Sequence, residues 1–437
     1  MKGMTAVPLI MCTLFCTFAK TLSGQQPALA EHYMTMVSLG RGWMGIGMAQ
    51  VFPIATLSLP RSENSPLERQ GLYATQPTLM FNLESPQSRI VLHSTFNFEG
   101  ITQPWGELTF GGWGEGYIDK RHPHTFLHEG VLSINEWHSD GGGYSVSAGK
   151  GFAPFGTDDP MSRPPVKYPT NHHLSQVLER WLLMGAYASP LFSIEAGVFG
   201  GSEPDSPWDF SNIESFPDSW SARITNRFGT GGLGAWPWEF AVSVARIAEE
   251  HEDGADQEHT LLFNAAVRHE DVHEIGGLYG LLEASWSDPE QGSNFFSVLG
   301  EGRVVHGIHQ PYARIEYARR PEFVRAGSPA SSGFFRYDPD AEPIGSTRWL
   351  IGTAGYGVTG TPLPFSGRPF IELQWNHVSG GGAVDPELLF GRSSFVTLSA
   401  GLRIFLGGEP MRMGSYGVLD PMTAMHRARM NGGQHRH

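Results

Sequence analysis

Between residues 72 and 406 the chain repeats one pattern sixteen times: about ten residues in which apolar and polar side chains alternate. In "WSARITNRF" (Trp220–Phe228), Trp220, Ala222, Ile224 and Phe228 share one face, while Ser221, Arg223, Thr225 and Arg227 share the other. A period of two with one apolar and one polar face is a half-buried strand. "LHSTFNF" (Leu92–Phe98), "PYARIEYA" (Pro311–Ala318) and "FIELQWNH" (Phe370–His377) follow the same rule. The segments are 72–83, 87–98, 105–118, 123–136, 143–152, 178–188, 192–202, 218–228, 237–248, 258–269, 274–286, 294–304, 308–319, 346–358, 368–378 and 394–406. Past the N-terminus there is no apolar run of the roughly 20 residues that a membrane helix needs. Glycine is frequent (55) and charged residues are few (17%), a balance that favours strands joined by turns over long amphipathic helices.

The connections carry as much information as the strands. Long ones, at 153–177, 203–217, 320–345 and 379–393, all follow odd-numbered segments. Connections after even-numbered segments are mostly short, such as "SPL" (Ser189–Leu191) and "EDVH" (Glu270–His273). An up-and-down barrel sorts odd and even connections to opposite ends, and transmembrane barrels have long external loops and short periplasmic turns. Trp105, Trp137, Trp220, Trp238, Trp286 and Trp349 stand near segment ends, where an aromatic girdle would meet lipid headgroups. The predicted fold is therefore all-β: a transmembrane up-and-down antiparallel β-barrel of about 16 strands over residues 69–407.

The last segment, "SFVTLSAGLRIFLGG", carries Ser399, Gly401, Ile404 and Leu406. A polar residue, then glycine, then two hydrophobics spaced by two resembles the terminal-strand signal of porin-like outer-membrane β-barrels of Gram-negative bacteria. The resemblance implies outer-membrane residence, lipid and the barrel-assembly machinery as partners, and a channel passing small polar solutes or ions. Barrels of this class usually end at that strand. This chain continues for some thirty residues.

Flanking segments complete the organisation. The N-terminus has an early lysine and an apolar run from Ala6 to Phe18, which reads as a secretory signal over 1–30, cleaved after Gly24 or Ala30. Cleavage at either place removes Cys12 and Cys16, the only cysteines, and leaves no thiol for catalysis or metal binding. Residues 31–68 read as a methionine-containing periplasmic segment, and 408–437 as a Met/His-rich tail. The formal net charge of −14 disfavours a nucleic-acid partner.

Four groups of residues invite a functional reading. "GEGYIDKRHPHTFLHEG" (Gly114–Gly130) would place a tight turn at the external rim, with Glu107, Glu115, Asp119, Arg121, His122 and Glu129 as a lumen and rim charge cluster. His124 and His128 share a strand face but stand about 13 Å apart along it, too far for one metal ion. "AEEHEDGADQEH" (Ala248–His259) would be an acidic external loop able to attract cations. Arg223, Arg227, Arg268, Arg314 and Arg403, with Glu239, Glu316 and Glu372, would form a cross-strand charge lattice in the lumen. Methionines gather outside the barrel: Met34, Met36, Met44 and Met48 before it, then Met411, Met413, Met422, Met425 and Met430 after it, with His426. Thioether and imidazole together suit copper(I), which makes a copper-associated barrel the alternative function. A hydrolase is the weaker alternative. His138 and Ser139 are adjacent on a strand and so point to opposite faces, and His377 near Ser379 is an isolated pair. Neither group supports an enzyme, and the favoured reading has no catalytic residues.

Overall fold

In the computed structural model the described residues are 35–59, 70–102, 125–139, 142–163, 165, 167–170, 172–202, 204, 208, 213–229, 237–249, 258–273, 276–290, 292–322, 345–359, 366–381, 384–387, 392–407 and 412–433. Residues 1–34, which hold the expected signal sequence, lie outside them. The strands are β1 (Thr35–Gly40), β2 (Trp43–Leu59), β3 (Gln70–Glu84), β4 (Ile90–Asn97), β5 (Leu127–Trp137), β6 (Gly143–Gly151), β7 (Arg180–Ala188), β8 (Phe192–Phe199) and β9 (Ser219–Phe228). They continue with β10 (Trp238–Glu249), β11 (Glu258–His273), β12 (Gly276–Pro289), β13 (Phe295–His306), β14 (His309–Glu322), β15 (Gly345–Val358), β16 (Ser366–Gly381) and β17 (Ser394–Leu406).

From β2 to β17 each strand pairs antiparallel with its successor. β17 then pairs with β2 from Val396↔Leu59 to Leu406↔Ala49 and closes a sixteen-stranded barrel. β1 folds back on β2 (Thr35↔Gly47 to Ser38↔Met44) and continues that ladder past the end of β17. Counted from β2, odd connections include 98–126, 152–179, 200–218 and 323–344, while no even connection exceeds the nine residues of 229–237. The parity read from sequence holds, and both barrel termini fall at the short-turn end.

Alternation sorts the side chains as expected. Ile194, Ile224, Val242, Leu282, Ile315 and Leu373 face outward and are exposed. Aromatic residues form bands near both ends of this surface: Tyr144, Tyr187, Phe228 and Trp238 at the short-turn end, and Trp220, Trp286, Phe296 and Trp375 at the other. Polar and charged side chains line the interior. An apolar belt around a closed ladder satisfies every backbone group inside lipid, and the architecture is that of a porin-like, outer-membrane barrel. Among the described residues no helix is long and apolar enough to cross a membrane.

Three expectations need correction. Trp43–Leu59, assigned from sequence to a periplasmic segment, is a barrel strand whose inward positions Ile46, Met48, Phe52 and Ile54 are buried. Its glycines, alanines and proline on the outward face (Gly45, Gly47, Ala49, Pro53, Ala55) weaken the alternation that marks other strands. Secondly, β4 pairs directly with β5 from Ile90↔Ile134 to Phe96↔Leu127, and 105–118, expected as the strand between them, lies outside the described residues. The turn expected at 119–124 lies outside the described residues, as do 250–257 of the acidic loop. Thirdly, Trp349 is buried and faces the interior, where it packs on Phe395.

Candidate functional site

The interior is entered by chain from both ends. From the long-loop end, 152–179 folds inward and crosses to the far wall. Gly156 N–H donates to Ser243 Oγ on β10 (2.8 Å), Thr157 Oγ1 to Glu283 on β12 (2.8 Å), and Thr170 N–H to Glu316 on β14 (2.8 Å). Lys167 donates to Glu372 and Gln374 on β16. Asp158 receives Arg268 of β11 on both oxygens (2.6 Å each), and Arg163 reaches Glu283 (3.3 Å). Burial pushes the Asp158 carboxyl up, but the guanidiniums of Arg268, Arg412 and Arg163 outweigh it and hold the group well below the usual carboxylate range. For Lys167 burial prevails: it pulls the ammonium below the ordinary lysine value against the attraction of Glu372.

From the short-turn end, the tail turns back into the lumen. Arg412 pairs with Glu239 of β10. Tyr416 donates its hydroxyl proton to Glu129 Oε1 of β5 (2.8 Å) and accepts the Phe152 N–H (2.8 Å). Asp420 caps the helix Pro421–Gly433: its Oδ1 accepts the Thr423 N–H (3.1 Å), with proline in the first helical position. Its other oxygen contacts His93 Nδ1 of β4 (3.0 Å) and accepts from Asn82 of β3 (3.1 Å). Glu84 of β3 accepts from Thr423 Oγ1 (2.9 Å) and contacts His426 Nδ1 (2.8 Å). Gly417 has φ +64°, and a Cβ there would lie 2.5 Å from the Cβ of Ser145, so only glycine seats the segment this close to β6.

Arg223 of β9 ties these pieces together. It donates to both oxygens of Glu195 (2.7 and 2.8 Å), to the Gly156 carbonyl of the inner loop (3.2 Å) and to the Gly414 carbonyl of the tail (2.9 Å). A small cavity of about 70 Å³ remains between wall, loop and tail, edged by Arg223, Arg227, Arg268, Arg412, Glu195, Glu239 and Asp158. On the opposite wall, Arg403 lies over the rings of Tyr312 (5.3 Å) and Phe370 (5.1 Å), and Arg368 over Phe405 (5.4 Å). Gly355 makes room for this layer, since a Cβ there would sit 2.0 Å from the Tyr312 ring.

The charge lattice expected from sequence is present in part, with Arg227 on Glu239 and Arg314 near Glu316 (3.7 Å), and it takes in further partners. Arg223 pairs with Glu195, Arg227 with Glu239 (3.0 Å), and Arg314 with Glu301 (2.6 Å), while Arg268 takes Asp158 from the inner loop. Of the rim cluster, Glu107, Glu115, Asp119, Arg121 and His122 lie outside the described residues. Glu129 faces the lumen and meets His93 Nε2 (3.2 Å), Thr95 Oγ1 (2.6 Å) and Tyr416. A register shift opposite Thr95 and Phe96 lets both His128 and Glu129 be buried, and His128 pairs with Glu179.

Of the candidate metal ligands, Met34 and Met411 are outside the described residues. Met413 and Met422 are buried in one apolar cluster with Met48, Met80, Met161 and Met184, and Met36 and Met425 pack against it. Thioethers filling an irregular core need no metal to be explained. His138 is exposed with its ring edge against Tyr144, and His377 Nδ1 contacts Ser394 Oγ (2.8 Å), not Ser379. Sequence reasoning missed Asp158, Arg163, Lys167, Glu195, Tyr416 and Asp420. The signals available were a proline-rich connection holding its own charges and the "LDP" helix start in the tail.

No protein-family model matches the chain, and no curated protein matches it in sequence. Among solved structures it is similar to OmpT, an outer membrane protein of Vibrio cholerae, at 8% identity and a TM-score of 0.47, covering 83% of this chain and 98% of that one. It is similar to an anion-selective porin from Comamonas acidovorans (11% identity, TM-score 0.45, 83% and 99% covered). It is likewise similar to the outer membrane channel DcaP of Acinetobacter baumannii (12% identity, TM-score 0.45, 84% and 99% covered). At such identities these are likenesses of shape.

Proposed function

We propose that the protein is a porin-like outer-membrane channel for small ionic solutes, with a preference for anions. The observation that carries this reading is the wall from β13 to β17. It presents Arg303, Arg314, Arg368 and Arg403, with Lys167 of the inner loop, against Glu301, Glu316 and Glu372. Arg368 and Arg403 stand directly opposite each other in the β16–β17 ladder. Two cations side by side serve a barrel poorly as packing, but they attract an anion into a low-dielectric passage. Planar-bilayer recording in a salt gradient tests the proposal. Discrete steps with an anion-selective reversal potential are expected, and Arg368→Ala with Arg403→Ala should move that potential toward zero. Absence of steps above bare membrane would refute the channel.

Copper(I) binding is the second reading, favoured by the convergence of Met36, Met413, Met422 and Met425 on one cluster. Competition titration against a copper(I) chelator tests it. Equal affinity for the intact chain and a truncation ending at Gly407 assigns the methionines to packing alone.

A further inference from the structure

We propose that the C-terminal segment Arg412–Gly433 is a releasable plug, docked in cis on the inner wall of β3–β10, whose departure widens the passage. The inference rests on the channel reading above.

Three observations carry it. The barrel is complete without the segment: β17 pairs with β2, and among the described residues no part of the tail joins the ladder. The segment follows β17, which ends at Leu406 at the short-turn end of the barrel, and among the described residues it is joined by ladder pairing to no other strand. Its seat is built from separable side-chain contacts. Arg412 pairs with Glu239, Tyr416 with Glu129, Asp420 with His93 and Asn82, and His426 and Thr423 with Glu84. Its apolar contacts come from Met413, Tyr416, Val418 and Met422, buried in the shared cluster, with Leu419 and Met425 packed against it, so the polar contacts are what distinguish its seat.

The wall beneath the segment fits the same account. Glu84, His93, Glu129, Glu195 and Arg223 face the lumen on β3, β4, β5, β8 and β9. Left by the plug, these side chains would take up water and line an aqueous passage, as sixteen-stranded barrels do. The interior therefore has two acceptable states, one closed by chain and one by solvent.

The test uses the whole protein in bilayers. Native cysteines occur only at Cys12 and Cys16, so an Asn82→Cys, Thr423→Cys pair can be introduced where the native polar atoms lie 3.4 Å apart. Bridged by a short bifunctional maleimide, the pair should hold the smallest and steadiest conductance. Unbridged protein should show excursions upward, and a chain ending at Gly407 should conduct roughly threefold more or better, given the aqueous lumen open to barrels of this size. Equal conductance of bridged, unbridged and truncated barrels overturns the plug. Should the truncated chain not fold, the bridged and unbridged forms decide the matter alone. A second readout does not depend on conduction. Ser415→Cys should react slowly with an impermeant maleimide, and at least tenfold faster when Asp420→Ala removes the cap and the His93 contact. No acceleration overturns release. Acceleration without conductance in any form leaves a releasable segment and refutes the channel instead.

Discussion

Ile224 lies near the middle of β9, faces outward with 48% of its surface exposed, and is in register with Ile194 on β8 and Val242 on β10. The three make an apolar row that belongs at the centre of the bilayer. Phe228, four residues on and on the same face, stands at the end of the strand, stacked with Trp238 (ring centroids 6.3 Å apart). Four residues are about 13 Å along a strand, and a tilt of about 40° turns that into roughly 10 Å of depth. Since the apolar band is about 25 Å tall, the step from Ile224 to Phe228 nearly spans its lower half. Ile224→Arg should therefore cost about 2–4 kcal/mol, and Phe228→Arg only about 0–1 kcal/mol. The assay is reversible denaturant unfolding in phospholipid vesicles, read by tryptophan emission. Equal costs at the two positions, or a cost below about 0.5 kcal/mol at Ile224, would refute the placement of this face in lipid.

Asp158→Asn should loosen the inner loop. Breaking a buried pair costs about 3–5 kcal/mol, and Arg268 keeps Glu270 (2.7 Å), so about 2 kcal/mol is expected near neutral pH. Because the folded-state value of Asp158 is depressed, its contribution is fully present above the unfolded carboxyl's pKa of about 3.9 and is lost only as pH falls through the lower folded value. The deficit of the variant should thus stay constant from pH 7 to about pH 5 and narrow only below the unfolded value; a gap that closes by pH 6 refutes the pairing. Topology is checked by cysteines at Asp385, in a long connection, and Ser139, in a short one. A bulky impermeant reagent should label the first on intact cells and the second only after permeabilisation, and the reverse result inverts the barrel.

The strands were legible because one face of each meets lipid and the other does not. Ile224 and Arg223 cannot exchange faces, so the period of two appears in the sequence. The same rule failed at β2, where Gly45, Gly47, Ala49 and Ala55 face outward and leave little contrast to read. It failed for the inner loop and the tail for another reason. Strand periodicity reports which way a side chain points, not what stands opposite it across an enclosed space. The partners of Asp158 and Tyr416 lie 110 and 287 residues away, on walls whose distance depends on closure of the whole ring.

Register, however, explains where the tail docks. Across β8–β11 the ladder sets Glu195 opposite Arg223, and Glu239 opposite both Arg227 and Arg268; across β13–β14 it sets Glu301 opposite Arg314. Those sectors answer their own charges. On β3–β5 the pairing differs. Glu84 faces Met44 and Val91, His93 faces Asn82 and Val131, and Glu129 faces Thr95. Carboxylates and an imidazole without in-register countercharge are costly in an enclosed lumen unless water or another segment satisfies them. The tail supplies the missing groups: Thr423 and His426 for Glu84, Asp420 for His93, and the Tyr416 hydroxyl for Glu129. On β3–β5 the returning chain thus adds to the His93–Glu129 pair the partners that register alone does not set opposite Glu84 and His93, and this polar seat, together with the apolar cluster around Met413, Tyr416, Val418 and Met422, fixes where the tail folds.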